Sequence, residues 1–202
     1  MNRRIFLACT LAFGAAGCTI GRTGSDPVHY DLGTDIPSAP KQRLRGTLAL
    51  DEVVAAGWLQ TNGILYRLTY RDAAQLQAYS LSRWAASPAA LLTQRLRAAL
   101  SVPAEKGLAM VADGVPTDRI LKVSLEAFEQ QVQSATASQA VVSMRSILID
   151  GKTRALIGQR SFRVEEACPS VDAEGAVRGL RTATDRAVGE LIAWLASAIR
   201  DA

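Results

Sequence analysis

The sequence predicts an α+β domain, a twisted, largely antiparallel or mixed sheet with two main helices packed on it. Alternating apolar and polar residues recur in short runs between Arg45 and Val164, whereas helical periodicity is confined to two stretches, one opening at Pro88 and one at Asp172. Strands broken by two helices, instead of strict strand–helix alternation, place the helices on one face of the sheet. The 202 residues are 49% hydrophobic and only 21% charged, enough for one ordinary core and too apolar for a disordered chain.

The N-terminus comes first and reads as an address. Asn2-Arg3-Arg4 is a positive flank, Ile5 to Ala16 is almost wholly apolar, and Ala15-Ala16-Gly17 stands directly before Cys18. That is a secretory signal over residues 1–17, and small residues followed by cysteine form the bacterial lipobox pattern. Cys18 is therefore expected to carry a diacylglyceryl group and to become the first residue, with a further acyl chain such as palmitate on its new amine. Each buried methylene contributes about 0.8 kcal/mol and one chain anchors only marginally, so two or three chains hold the protein stably on a membrane. Arg3-Arg4-Ile5-Phe6-Leu7 also follows the twin-arginine pattern, which leaves both export routes open. Thr19 stands where Asp would favour retention at the inner membrane, so the periplasmic face of the outer membrane is the expected location.

Residues 18–43 are rich in Gly, Pro and Ser and read as a lipid-anchored tether, with one apolar island at Val28-His29-Tyr30-Asp31-Leu32. Tyr30 and Leu32 are the candidate partner-binding residues, because a plain tether needs neither; docking on their own sheet is the competing reading. The globular domain is expected over residues 44–202. Arg45 to Val54 alternates as a strand. Trp58-Leu59 and Ile64 to Leu68 flank Thr61-Asn62-Gly63, and Asn-Gly predicts a hairpin whose central residues take positive φ. Leu76 to Leu81 is a further strand.

Ser87 and Pro88 form an N-cap and a first helical position, and Leu91, Leu92, Leu96, Ala99 and Leu100 line one face of the helix that follows. Gly107 to Val111 and Arg119 to Gln133 are strands; Ala140 to Ile149 and Arg154 to Val164 flank a second hairpin at Asp150-Gly151-Lys152. Asp172 caps the last helix, whose stripe is Val177, Leu180, Ala187, Leu191, Leu195 and Ala198. Ile192 and Ile199 fall opposite that stripe and are expected to be free to meet another protomer.

Catalytic chemistry has little to stand on. His29 is the sole histidine and lies in the tether, which removes His-based metal sites and leaves a Ser-His-Asp triad without a fixed base. Gly151-Lys152-Thr153 resembles the end of a phosphate loop but lacks the earlier glycine, with Ser146 in its place, and lacks the following helix. Glu165-Glu166 and Asp51-Glu52 are neighbours on strands, so each pair points to opposite faces. Outside Cys18, the mature chain keeps only Cys168, which leaves no internal disulfide. Basic residues are scattered among acidic ones, with a formal net charge of +4, and no basic block points to nucleic acid. No enzyme activity, cofactor or metal is expected.

Cys18, then Tyr30-Asp31-Leu32, Ile64-Leu65-Tyr66-Arg67, Tyr79, and Arg83-Trp84-Ala85-Ala86-Ser87-Pro88 leading into Leu91-Leu92, followed by a hairpin and a long terminal helix, resembles the ABC-type transport auxiliary lipoproteins, the PqiC/YmbA-like family. The resemblance spans nearly the whole mature chain; His29 stands where a second aromatic often precedes the tyrosine. It implies a non-enzymatic periplasmic lipoprotein working beside an ABC transporter and an MCE-domain protein in moving lipids or other hydrophobic compounds between membranes, with a homo-oligomer as one arrangement. A lipoprotein that assists envelope assembly or chaperones lipid without a transporter is the alternative.

Overall fold

The computed structural model describes residues 25–35, 44, 46–101, 108–111 and 115–200; the signal segment, Cys18 and most of the expected tether lie outside the described residues. Among the described residues, nine strands and two α-helices follow one another as β1 (Val28–Tyr30), β2 (Gly46–Leu50), β3 (Val54–Ala55), β4 (Gly63–Leu68), β5 (Gln77–Trp84), α1 (Pro88–Ser101), β6 (Leu108–Val111), β7 (Arg119–Val132), β8 (Ser138–Asp150), β9 (Leu156–Ala167) and α2 (Ala173–Arg200).

β7 is the spine of a mixed sheet. On one side it pairs antiparallel with β8 along its whole length, from Arg119 opposite Asp150 to Val132 opposite Ser138, and β8 pairs antiparallel with β9. On its other side three short strands lie end to end and parallel to it: β2 against Arg119–Leu121, β3 against Ser124–Leu125, β4 against Gln130–Val132. β6 flanks β2, β5 flanks β4, and β1 runs parallel to β5 at the edge. The alternation of β7 carries one break, a bulge between Leu125 and Ala127. Leu121, Val123 and Leu125 face the core before it; Phe128 and Val132 face the core after it. Without that extra residue the second half of β7 would turn Phe128 to solvent.

Both helices cover this core face. Ser87 caps α1, its Oγ accepting from the Ala90 N–H at 3.4 Å, and Leu91, Leu92, Leu96, Ala99 and Leu100 are buried as their spacing requires. Asp172 caps α2, its carboxylate accepting from the Gly175 N–H at 2.7 Å, which holds that carboxyl below its ordinary range. α2 lies across β9, β8 and β7. The opposite face of the sheet is polar and stitched by ion pairs such as Arg145–Glu126 and Arg163–Glu165. The adjacent carboxylates do diverge: Glu165 meets Arg163, whereas Glu166 meets Arg186 of α2.

Three expectations need correction. No hairpin forms at Asn62-Gly63: Trp58 and Leu59 sit in a 3-10 turn (Gly57–Leu59), and neither Asn62 nor Gly63 takes positive φ. The Asn62 carbonyl instead accepts from the Trp84 N–H at 2.7 Å, so the segment joins β5, a strand distant in sequence. The strand over Arg45 to Val54 is interrupted after Leu50, where the chain steps from β2 to β3 along β7. Ile192 is 1% exposed and Ile199 packs partly on the core, because α2 is sandwiched between the sheet and its neighbours and buries more than one stripe.

Candidate functional site

Two regions at different ends of the sheet gather the features worth weighing. The first is the N-terminal arm. β1 aligns Val28 with Ser82 and Tyr30 with Trp84, and the Tyr30 carbonyl accepts from the Ala85 N–H at 2.7 Å. Beyond β1, Asp31 accepts from the Gly33 N–H at 2.7 Å, closing a turn in which Gly33 has φ +74°. That positive φ favours glycine, and a Cβ there would also have to displace the Arg181 guanidinium of α2.

The turn drops Leu32 into the core, where it is 4% exposed. Arg95 of α1, itself 4% exposed at the side chain, donates to the Gly33 carbonyl at 3.1 Å and stands 2.6 Å from Asp185 of α2. One guanidinium thus ties the arm, α1 and α2 together, and burial pushes the Asp185 carboxyl up in spite of that partner. Arg181 adds a second tie to Asp35 at 2.6 Å, exposed and therefore weaker. Between arm and helix remains a small hollow of about 370 Å³ lined by His29, Tyr30, Arg178 and Arg181 among others.

Beside the arm lies a half-buried polar network. The Tyr79 hydroxyl donates to Gln130 at 2.6 Å, and Gln130 in turn donates to Ser138 at 2.9 Å and to the Ser170 carbonyl at 3.2 Å. Burial pushes the Tyr79 pKa up to about 12, with Tyr66 adding to it from a ring stacked at 4.6 Å. Burial likewise pushes the nearby Cys168 thiol up, the opposite of what activates a nucleophile. Arg67 reaches Glu129 at 2.8 Å, and Trp84 is fully buried against Phe128. Tyr66, Arg67, Tyr79, Trp84 and Pro88, picked out as a motif in the sequence, are therefore packing and capping residues of the arm end.

The second region is an open groove of about 1270 Å³ at the other end of the sheet. Its residues come from β2, β7, the β8–β9 turn, the start of β9 and the last turns of α2. Gly46 has φ +94°, and a side chain there would strike Asp118 and Arg119, so the glycine lets both lie across the strand. The Asp118 carboxylate accepts from the Thr47 N–H at 2.9 Å and its hydroxyl at 3.0 Å, which holds its carboxyl low. Asp150 does the same for the β8–β9 turn, accepting from the Lys152 and Thr153 N–H groups at 2.9 and 2.7 Å. The N–H groups that a phosphate loop would offer a nucleotide are spent on this carboxylate. On the other wall stand Trp194, Ala198 and Ile199.

Cys18 lies outside the described residues. Leu32 is a core residue, which gives a partner no surface, and Tyr30 is half-buried at the rim of the hollow. His29 is exposed on β1. Among the described residues no group of three or more His, Cys, Asp or Glu is placed to hold a metal, and no helix is long and apolar enough to cross a membrane.

The model of the ABC-type transport auxiliary lipoprotein component family matches residues 30–192, a span that starts in the arm and ends in the last turns of α2. The chain belongs to this family. No curated protein matches the sequence. Solved structures share the fold: a Xanthomonas campestris protein of the DUF330 family at 17% identity and TM-score 0.76, covering 86% of this chain and 97% of that one. An uncharacterised protein follows at 18% identity and TM-score 0.66, covering 84% and 99%. A Chlamydia trachomatis hypothetical protein has 12% identity and TM-score 0.52, covering 78% and 99%. The family is one of auxiliary transport lipoproteins.

Proposed function

We propose that this member is a non-enzymatic accessory subunit held by acyl chains on Cys18 at the periplasmic face of the outer membrane, where it serves an ABC transporter and an MCE-domain protein that move lipids between membranes. The observation that carries the reading is the way the arm is built into the domain. Nine residues, and so ten Cα–Cα steps, separate Cys18 from Val28, a reach of at most about 35 Å when fully extended. Because β1 is a strand of the sheet and Leu32 part of the core, the domain cannot drift far from its anchor, and its orientation at the membrane is restricted. That suits a subunit that must present one surface to a partner. Tyr30, at the rim of the hollow beside Arg178 and Arg181, is the arm's contribution to that surface; Leu32 supports it from inside.

Affinity purification of the lipidated protein from membranes, followed by identification of what copurifies, tests the reading. An MCE-domain protein together with ATPase and permease subunits is the expected result. Recovery of envelope-assembly factors in their place selects a transporter-independent lipoprotein. Intact mass decides the anchor separately: a chain starting at Cys18 with added acyl mass is expected, and an unmodified chain starting at Thr19 or later contradicts it.

A further inference from the structure

Among the described residues β9 pairs only with β8, so along the other side of its 12 residues alternate backbone N–H and C=O groups have no strand to meet. The edges at the far side of the sheet are β1, of 3 residues, and β6, of 4, and keeping edges short is one way a fold avoids pairing with another chain. β9 is not guarded in that way. Residues 159–167 hold neither proline nor lysine, and the register slip against β8 lies beyond them, between Leu156 and Gly158.

The polar face of this edge is self-complementary. Arg163 and Glu165 stand two residues apart on it and meet at 2.8 Å. Two copies that join β9 to β9 in one sheet, with their helices on the same face, run antiparallel about a dyad, and opposed residues share a face, so the dyad passes beside a residue and not between two. At Arg163 or at Glu165 the dyad sets like charges directly opposite, which destabilises the pairing. At Phe162 no acid faces either arginine. At Val164 each Arg163 stands opposite the partner's Glu165, so that the ion pair within each copy closes into a ring of four alternating charges. In that register Ser161 lies opposite the partner's Ala167, and on the helix face Phe162 lies opposite the partner's Glu166, a residue whose charge Arg186 of the same copy holds at 2.9 Å.

α2 accommodates the same dyad. It packs on β9 and β8, and Arg186, reaching Glu166 of β9, marks the flank beside the free edge. Ala193 and Ser197 follow Arg186 and Glu190 at a spacing that keeps them on that flank, and both are small. With strands about 4.8 Å apart and the helix above the boundary of β8 and β9, the two α2 axes come to lie about 10 Å from each other, within reach of helix packing.

We infer that β9 is a dimer edge: a second copy of this chain adds its own β9 antiparallel about a dyad at Val164, giving one continuous sheet with the two α2 helices side by side. The inference does not rest on the proposed accessory role, and self-pairing and copurification of a transporter can fail separately.

Two differently tagged full-length copies are made together in cells, both carrying Cys168→Ser, one with Ser161→Cys and the other with Ala167→Cys. A short bis-methanethiosulfonate reagent, matched to the about 5 Å between opposed Cβ atoms, is then added. A product bearing both tags is expected, at least tenfold above that from either cysteine variant paired with itself, because two copies of Ser161 would stand six residues apart along the strands, about 20 Å. Arg163→Glu in both copies, or Glu165→Arg in both, should lower the product at least tenfold. Arg163→Glu in one copy with Glu165→Arg in the other should restore it, which also reports that both variants fold. The inference is overturned if no product bears both tags, if Ser161→Cys links to itself, if the charge changes have no effect, if the mixed pair is not restored, or if β9 links to a different protein in place of a second copy.

Discussion

The arm end and the groove end of the sheet are built from similar material and put it to opposite uses. At the arm end, apolar and charged groups are drawn inwards: Leu32 enters the core, Trp84 is fully buried, and Arg95 is spent on the Gly33 carbonyl and Asp185. At the groove end, Leu156, Lys152 and Arg200 remain at the surface, and glycines at positions 46 and 158 keep the floor low. The difference teaches where the fold invests its stability. The arm end is fixed, and the groove end is left open.

The largest expected effect breaks the fixed end. Arg95→Ala leaves a partly buried Asp185 and the Gly33 carbonyl without their donor, and the loss of such a pair costs about 3–5 kcal/mol. Leu32→Ala removes a side chain seated in the core and should cost about 2–5 kcal/mol. Urea midpoints measure both; if Leu32→Ala unfolds with the midpoint of the parent, the arm is not part of the folded unit.

The next effect is alkaline. Tyr79 ordinarily ionises near pH 10 and here is raised to about 12, because burial opposes its charge and Tyr66, Asp172 and Cys168 add to that opposition. A raised folded pKa contributes stability that is fully present below pH 10 and is lost as pH rises towards 12. Unfolding titrations across that window should show the loss, and Tyr79→Phe should remove most of it.

The smallest effects belong to the groove. Lys152→Ala and Leu156→Ser alter exposed groups that support nothing else, so their urea midpoints should stay within about 0.5 kcal/mol of the parent in stability. A larger destabilisation would mean that the groove end is as structural as the arm end.

What the sequence made legible follows the same division between local and distant chemistry. Ser87-Pro88, Asp172 and Asp150 act within three residues of themselves, and each does in the structure what its type and position predict. Asn62-Gly63 carried an equally strong local signal, but its turn was overridden by pairing with Trp84, more than twenty residues on. The parallel pairing of β2, β3 and β4 with β7 leaves no local trace, since each register is set by residues far apart in the chain. Tyr30 and Leu32 stood out in a polar stretch, which marked them for burial without saying against what. The groove was invisible for a plainer reason: Gly46, Lys152, Gly158, Trp194 and Arg200 come from four separate segments, and none is unusual in its own neighbourhood.

Hydrogen exchange tests the central claim, that the arm from Val28 to Gly33 is a folded part of the domain. Amides of β1 and of the turn to Leu32 should exchange slowly, protected in step with β5 and α1, and Leu32→Ala should release them first. If peptides covering Val28 to Gly33 exchange at the rate of a free chain while α2 stays protected, the arm is a tether, and the restricted orientation that the proposed function relies on is gone.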